Sequence, residues 1–144
     1  MKQVSRSALV AFSAEQMFHL VNDVESYPDF LPGCSGTRVL ESSSDKMVAS
    51  VDVSKAGISK TFTTENHLNH GQSIIMHLVD GPFQTLRGGW FFTPLDEQAC
   101  KVELKLEFEF SSKMIELAFG KVFNELTSNM VNAFTKRAKQ VYAV

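Results

Sequence analysis

The sequence predicts an α+β fold: a curved antiparallel sheet of about six to seven strands wrapped around one long C-terminal helix. Three observations predict it. The run Ser112–Val144 has no proline and one glycine, and its apolar residues recur in steps of three and four. Residues 37–110 alternate with period two instead, in runs broken by short turn-forming clusters. Short turns make successive strands antiparallel, and a sheet with one dry face needs a cover. At 144 residues, 44% hydrophobic and 21% charged, the chain suits a single soluble domain over 1–144.

Residues 2–10 read as a first strand, with Val4, Ala8 and Val10 on its buried side. Ser13 then precedes an amphipathic helix carrying Phe18, Leu20 and Val21, and Gln16 completes a capping box. In VESYPDFLPGCSG, Pro28 and Pro32 bracket Tyr27, Phe30 and Leu31, so a short helix or turn is held rigidly there. Alternation follows. Met47, Ala49, Val51 and Val53 share one face, as do Ile58, Phe62 and Leu68, and then Ile74, Met76 and Leu78. Trp90 and Phe92 oppose Phe91, and Gly88 with Gly89 are the expected bend or bulge sites. Cys100, Val102, Leu104, Leu106, Phe108 and Phe110 point one way, and Lys101, Glu103, Lys105, Glu107 and Glu109 the other. The closing helix places Ile115, Phe119, Val122, Leu126, Met130, Phe134, Ala138 and Val141 on one stripe. Ser112 caps it, and Lys136, Arg137 and Lys139 lie at its negative pole.

Catalytic patterns are sparse. His19, His67, His70 and His77 lack metal-ligand spacing, and no nucleophile elbow, phosphate loop or dinucleotide glycine pattern is present. Asp52, Glu65 and Arg87 fall on the outward parity, while Asp23 and Asp80 sit at connector ends. Cys34 and Cys100 are far apart and read as reduced, structural thiols of a cytoplasmic protein. No signal peptide or run of 18 apolar residues is evident. A net charge of −2 gives no global drive toward nucleic acid or anionic membrane, although local patches remain open. Twelve Phe against two Tyr and one Trp suit an apolar interior. Phe62, Met76, Leu78, Trp90, Phe92, Leu106 and Phe108 line a pocket beneath Met114, Ile115, Phe119, Val122 and Phe123 on one reading. On the other, the same side chains fill the core completely.

YPDFLPGC at 27–34, DGPF followed by L-x-G-x-W-x-F-x-P-L across 80–95, and the terminal helix resemble one family. It is the START-like (Bet v 1-like, polyketide cyclase/dehydrase and lipid-transport) group, which includes coenzyme Q-binding proteins and bacterial ribosome association toxins. The resemblance runs from about residue 3 to 140. It implies a helix-grip fold with a deep cavity between sheet and helix. Tyr27, Pro28, Phe30, Leu31 and Pro32 would form its entrance, and Phe83, Trp90, Phe92, Leu104, Leu106 and Phe108 its wall. The leading expectation is non-enzymatic binding of ubiquinone or a related isoprenoid lipid in support of respiration, with contact to a membrane only in passing. Ubiquinone is then a ligand, and no cofactor is expected. The alternative is a regulator that binds the large ribosomal subunit and blocks its joining with the small one. A third reading, a cyclase, lacks an inward-facing titratable group. Relatives often carry tryptophan just before the cysteine, where this chain has Gly33, so either a wider mouth or a weaker contact to a lipid headgroup is expected. The oligomeric state stays open.

Overall fold

The period-two stretch and its flanks form seven strands and one covering helix in a computed structural model, which describes residues 1–142. The chain runs β1 (Lys2–Val10), α1 (Ala14–Asn22), a three-ten turn (Val24–Asp29), β2 (Cys34–Ser42), β3 (Lys46–Lys55), β4 (Ile58–Asn69), β5 (Ser73–Asp80), β6 (Phe83–Asp96), β7 (Ala99–Phe110) and α2 (Lys113–Tyr142). Residues 143–144 of the expected terminal helix lie outside the described residues.

One antiparallel sheet has the order β1-β7-β6-β5-β4-β3-β2. β1 pairs with β7, from Lys2 opposite Phe108 to Val10 opposite Cys100. α1 and the three-ten turn then carry the chain across to the far edge, from which β2–β7 meander back. The Ser13 side chain accepts from the Gln16 amide and the Gln16 side chain accepts from the Ser13 amide, so the expected capping box starts α1. Ser112 caps α2 by accepting from the Ile115 amide.

The parities hold. All six inward residues of β7, from Cys100 to Phe110, are buried. α2 lies across this dry face and buries Phe119, Val122, Leu126, Phe134 and Ala138 of the expected stripe, together with Phe123 beside it, while Met130 is half-buried. Val141 departs from it at 48% exposure. Here α2 has reached the end of the sheet and meets α1, where the Tyr142 hydroxyl donates to the Gln16 carbonyl at 2.9 Å.

Gly88 and Gly89 are not bulges. The β6–β7 register runs unbroken through Gly88 opposite Leu106 and Gly89 opposite Lys105, and the shifts lie at Phe83/Thr85 and Pro94/Asp96. The two glycines instead allow close approach within a coiled sheet. Gly88 has φ +146°, and a Cβ there would sit 2.0 Å from the Lys105 carbonyl oxygen. At Gly89 a Cβ would come within 2.6 Å of the Ile74 carbonyl oxygen. No side chain fits either place.

The far edge is held by charge. Asp52 of β3 accepts two hydrogen bonds from Arg38 of β2, both 3.1 Å, and one from Thr61 of β4 at 2.6 Å, linking three strands. These bonds, led by those from Arg38, hold the Asp52 carboxyl below the usual carboxylate range.

Gly88→Ala should lower unfolding stability by at least about 3 kcal/mol, read as a shift of the urea midpoint, because it combines backbone strain with a backbone clash. Asp52→Asn should cost about 0.5–1 kcal/mol at neutral pH, a surface value since Arg38 is 54% exposed. A depressed folded-state pKa stabilises above the unfolded value, and that contribution is lost as pH falls through the folded value. Urea midpoints of wild type and Asp52→Asn should therefore differ at neutral pH and converge as the pH falls through the lowered carboxyl value of the folded state.

Candidate functional site

Two aromatic clusters pin α2 to the sheet. Toward the start of the helix, Phe123 packs on Phe83 (ring centroids 4.8 Å apart) and Phe108 (4.9 Å), with Phe110 and Phe119 alongside. Toward its end, Phe134 meets Trp90 at 5.2 Å, Tyr27 at 5.2 Å and Phe30 at 5.1 Å. Most of these pairs are edge-to-face, the arrangement favoured by the ring quadrupole.

A cavity remains between the clusters. Of the expected lining, Tyr27, Leu31, Phe62, Met76, Trp90, Leu104, Leu106 and Phe123 reach it. Its volume is about 60 Å³, well under half of the roughly 150 Å³ that holds one benzene. A substituted quinone ring is larger than benzene. The interior is therefore mostly filled, and the deep cavity expected from the resemblance is a small remnant.

The other expected lining residues are placed elsewhere for identifiable reasons. Phe83, Phe108 and Phe119 belong to the first aromatic cluster. Phe92 packs against Phe18 beneath α1. Leu78 lies beyond His77, where β5 stops pairing with β6, and is half-buried. Met114 is 78% exposed, since it lies a helical step off the stripe at the very start of α2, and Ile115 beside it is half-buried. Val122 faces a shallow outer groove with Pro32, Gly33 and Lys55. Phe30 sits outside the cavity, under the Arg137 guanidinium, 5.0 Å from its ring centroid.

Gly33 has φ +91°, a left-handed conformation that suits glycine, and it borders that outer groove. Leu126, the side chain nearest to Gly33, lines both this groove and the cavity.

Val24, Ala49, Val51, Thr64, Asn66, Leu86, Leu126, Thr127 and Met130 complete the lining and were not expected there. Thr64 and Asn66 share the parity of Phe62 and Leu68, so alternation placed them inward despite their polarity. Thr64 donates to the Asn66 side-chain oxygen at 2.8 Å. Thr127 donates to the Phe123 carbonyl at 3.0 Å. Tyr27 donates its hydroxyl to the Val21 carbonyl, and burial holds its phenol far above the ordinary range. The buried thiols are raised in the same way, Cys100 to about 11, so both stay protonated at neutral pH. No carboxylate, histidine, lysine or arginine lines the cavity, so it offers no pair for proton transfer. Among the described residues, no His/Cys/Asp/Glu group is arranged to hold a metal, and no helix is long and apolar enough to cross a membrane.

The surface positions follow their outward parity. Arg87 pairs with Glu107 at 3.0 Å, and His67 lies beside Glu65 at 3.1 Å with its ring 5.3 Å from that of His77.

Residues 10–135 match the family described as polyketide cyclase/dehydrase and lipid transport. The ribosome association toxin RatA of Vibrio cholerae is 84% identical over 142 residues, which cover 99% of both chains. The chain belongs to the RatA branch of that family. The RatA protein of Escherichia coli K12 is 66% identical, covering 99% of this chain and 90% of its own. Among solved structures, the Zhui aromatase/cyclase of Streptomyces sp. R1128 superposes with a TM-score of 0.86 over 99% of this chain and 96% of its own. At 20% identity it speaks for the fold alone.

Membership in the RatA branch corrects the leading expectation of a ubiquinone carrier. The mitochondrial coenzyme Q-binding protein homologue of Xenopus laevis is only 28% identical, and the match covers 59% of its length. The small cavity agrees with the correction. A filling substitution tests how much space is present. Ala49 is buried and faces the cavity. Ala49→Leu should leave stability unchanged or raise it by about 0.5–2 kcal/mol in urea unfolding, as cavity-filling changes do. A loss of more than about 1 kcal/mol would mean that the substitution overpacks a filled core.

Proposed function

We propose that this chain is a ribosome-associating toxin that binds the large ribosomal subunit and blocks its joining with the small one. The observation that carries this reading is full-length identity of 84% to a ribosome association toxin. A mostly filled interior without a proton-transfer pair supports action by binding, with no bond made or broken. The chain acts as one folded unit, and its target places it in the cytoplasm. Interference with joining needs only occupancy of a surface that the small subunit must also cover.

The test uses purified subunits under conditions that favour joining, resolved on a sucrose gradient with and without the protein. Added in excess, it should abolish the joined peak, leave separate subunits and migrate with the large one. An unchanged joined peak at saturating protein would overturn the reading. Raising the salt should release the protein, because contacts to a polyphosphate surface weaken steeply with ionic strength.

A further inference from the structure

The charged residues are sorted over the surface. On α2, five Lys/Arg against two Glu leave a net +3, and the rest of the chain, nine against fourteen, carries −5. The ion pairs are sorted in the same way. Lys2, Arg38, Lys46, Lys55, Arg87, Lys101 and Lys105 each lie within 4.0 Å of a carboxylate, and none is on α2. Seven further Lys/Arg have no carboxylate that close among the described residues. Five belong to α2, and a sixth, Arg6 of β1, reaches α2 with its guanidinium 3.4 Å from the Ser128 hydroxyl.

The two carboxylates of α2 are compensated from outside the helix. Lys2 lies 4.0 Å from Glu116, and Lys55 pairs with Glu125 and holds its carboxyl below the usual range. Each of these carboxylates has its ion-pair partner outside the helix, and Lys121 adds only a weaker attraction on Glu125.

The free cations form a line. Lys121, Ser128, Asn132, Lys136 and Lys139 fall near one angular position on a 3.6-residue helix, on the side away from the buried stripe. From Lys121 to Lys139 the line is roughly 27 Å long at 1.5 Å per residue. Arg6 and Lys121 border one open groove between β1 and α2. Lys136 borders a second groove near the end of the helix, where Asp29 supplies one carboxylate that makes no ion pair among the described residues. Arg137 is already engaged over Phe30.

We propose that this solvent face of α2, with Arg6 beside it, is the surface that docks on ribosomal RNA, and that it contacts the phosphate–ribose backbone. The proposal rests on the ribosome-binding reading above. Unpaired lysines and an arginine supply charge for phosphates, and the intervening Ser and Asn side chains supply hydrogen bonds for phosphate and 2′-hydroxyl oxygens. The line carries no aromatic ring, so base stacking is not its mode. An anionic bilayer suits it less well, because an interfacial helix inserts an apolar face, and that of α2 is spent on the sheet.

The test is binding of the intact protein to purified large subunits across a potassium chloride series, by co-sedimentation. The α2 variant is Lys121→Glu/Lys136→Glu/Lys139→Glu. A control with the same charge change on the outer sheet face is Arg87→Glu/Lys101→Glu/Lys105→Glu. Circular dichroism and urea midpoints confirm that both are folded. Each phosphate contact contributes about 0.7–0.9 to the log–log salt slope, so losing three should weaken binding about 100-fold or more near 0.1 M salt and flatten the slope by about two. The sheet control should bind within about threefold of wild type, since its cations make no phosphate contact on this proposal. If wild type binds and the α2 variant binds equally well, the surface is misassigned and the ribosome reading stands. If the α2 variant loses affinity with an unchanged salt slope, the face meets ribosomal protein, and the RNA proposal fails. If wild type itself does not bind, the ribosome reading falls and takes this proposal with it.

Discussion

The structure depends on the seating of α2 in the hollow of the sheet. A single apolar stripe on a 30-residue helix must be matched by a surface that curves to meet it. Two aromatic clusters make the match, with Phe123 at the centre of one and Phe134 at the centre of the other. The sheet can approach closely because Gly88 and Gly89 leave no Cβ between adjacent strands. Each part requires the others. Without the curl the stripe has nothing to lie on, and without the stripe the dry face of β7 is exposed to water.

Architecture was legible because it rests on periodicity, and periodicity is a local property of sequence. The parity of β7, the capping box of α1 and the Ser112 cap of α2 follow from a few neighbouring residues, and the structure repeats them. The cavity was not legible in the same way. Periodicity places Phe108 and Phe119 inward, but whether inward rings leave a space or fill it depends on packing across distant elements. Here the rings interlock into a plug, and only the zone between the clusters stays open. Met114 shows a second limit: one helical step off the stripe, in the first turn of the helix, was enough to turn a large apolar side chain to solvent. Thr64 and Asn66 show the opposite error, since polarity hid residues that parity had already placed inside.

That difference bears on function. A carrier for a large apolar ligand needs a mismatch between helix and sheet, a volume that side chains do not claim. This chain has spent its abundant phenylalanine on closing that volume. The same backbone arrangement recurs in an aromatase/cyclase that shares a fifth of its residues. The fold therefore tolerates many fillings, and it does not decide the activity. With the interior mostly filled, the chemistry available to a large partner is that of the outer surface.

The outer surface differs between its two halves for a reason rooted in secondary structure. On a sheet, cross-strand neighbours bring opposite charges together without special spacing, as Arg38 with Asp52 and Arg87 with Glu107 show. Within one helix, a lysine meets an acid three or four residues away. Lys136 has Asn132 and Gln140 at those offsets of four, and Lys139 has Thr135. Lys121 does have Glu125 four residues on, but Lys55 reaches across from β3 and takes it. The charges of α2 are thus left free by the spacing of the sequence and by one tertiary contact. A net charge of −2 for the whole chain conceals this, because a total says nothing about where unpaired charge is held.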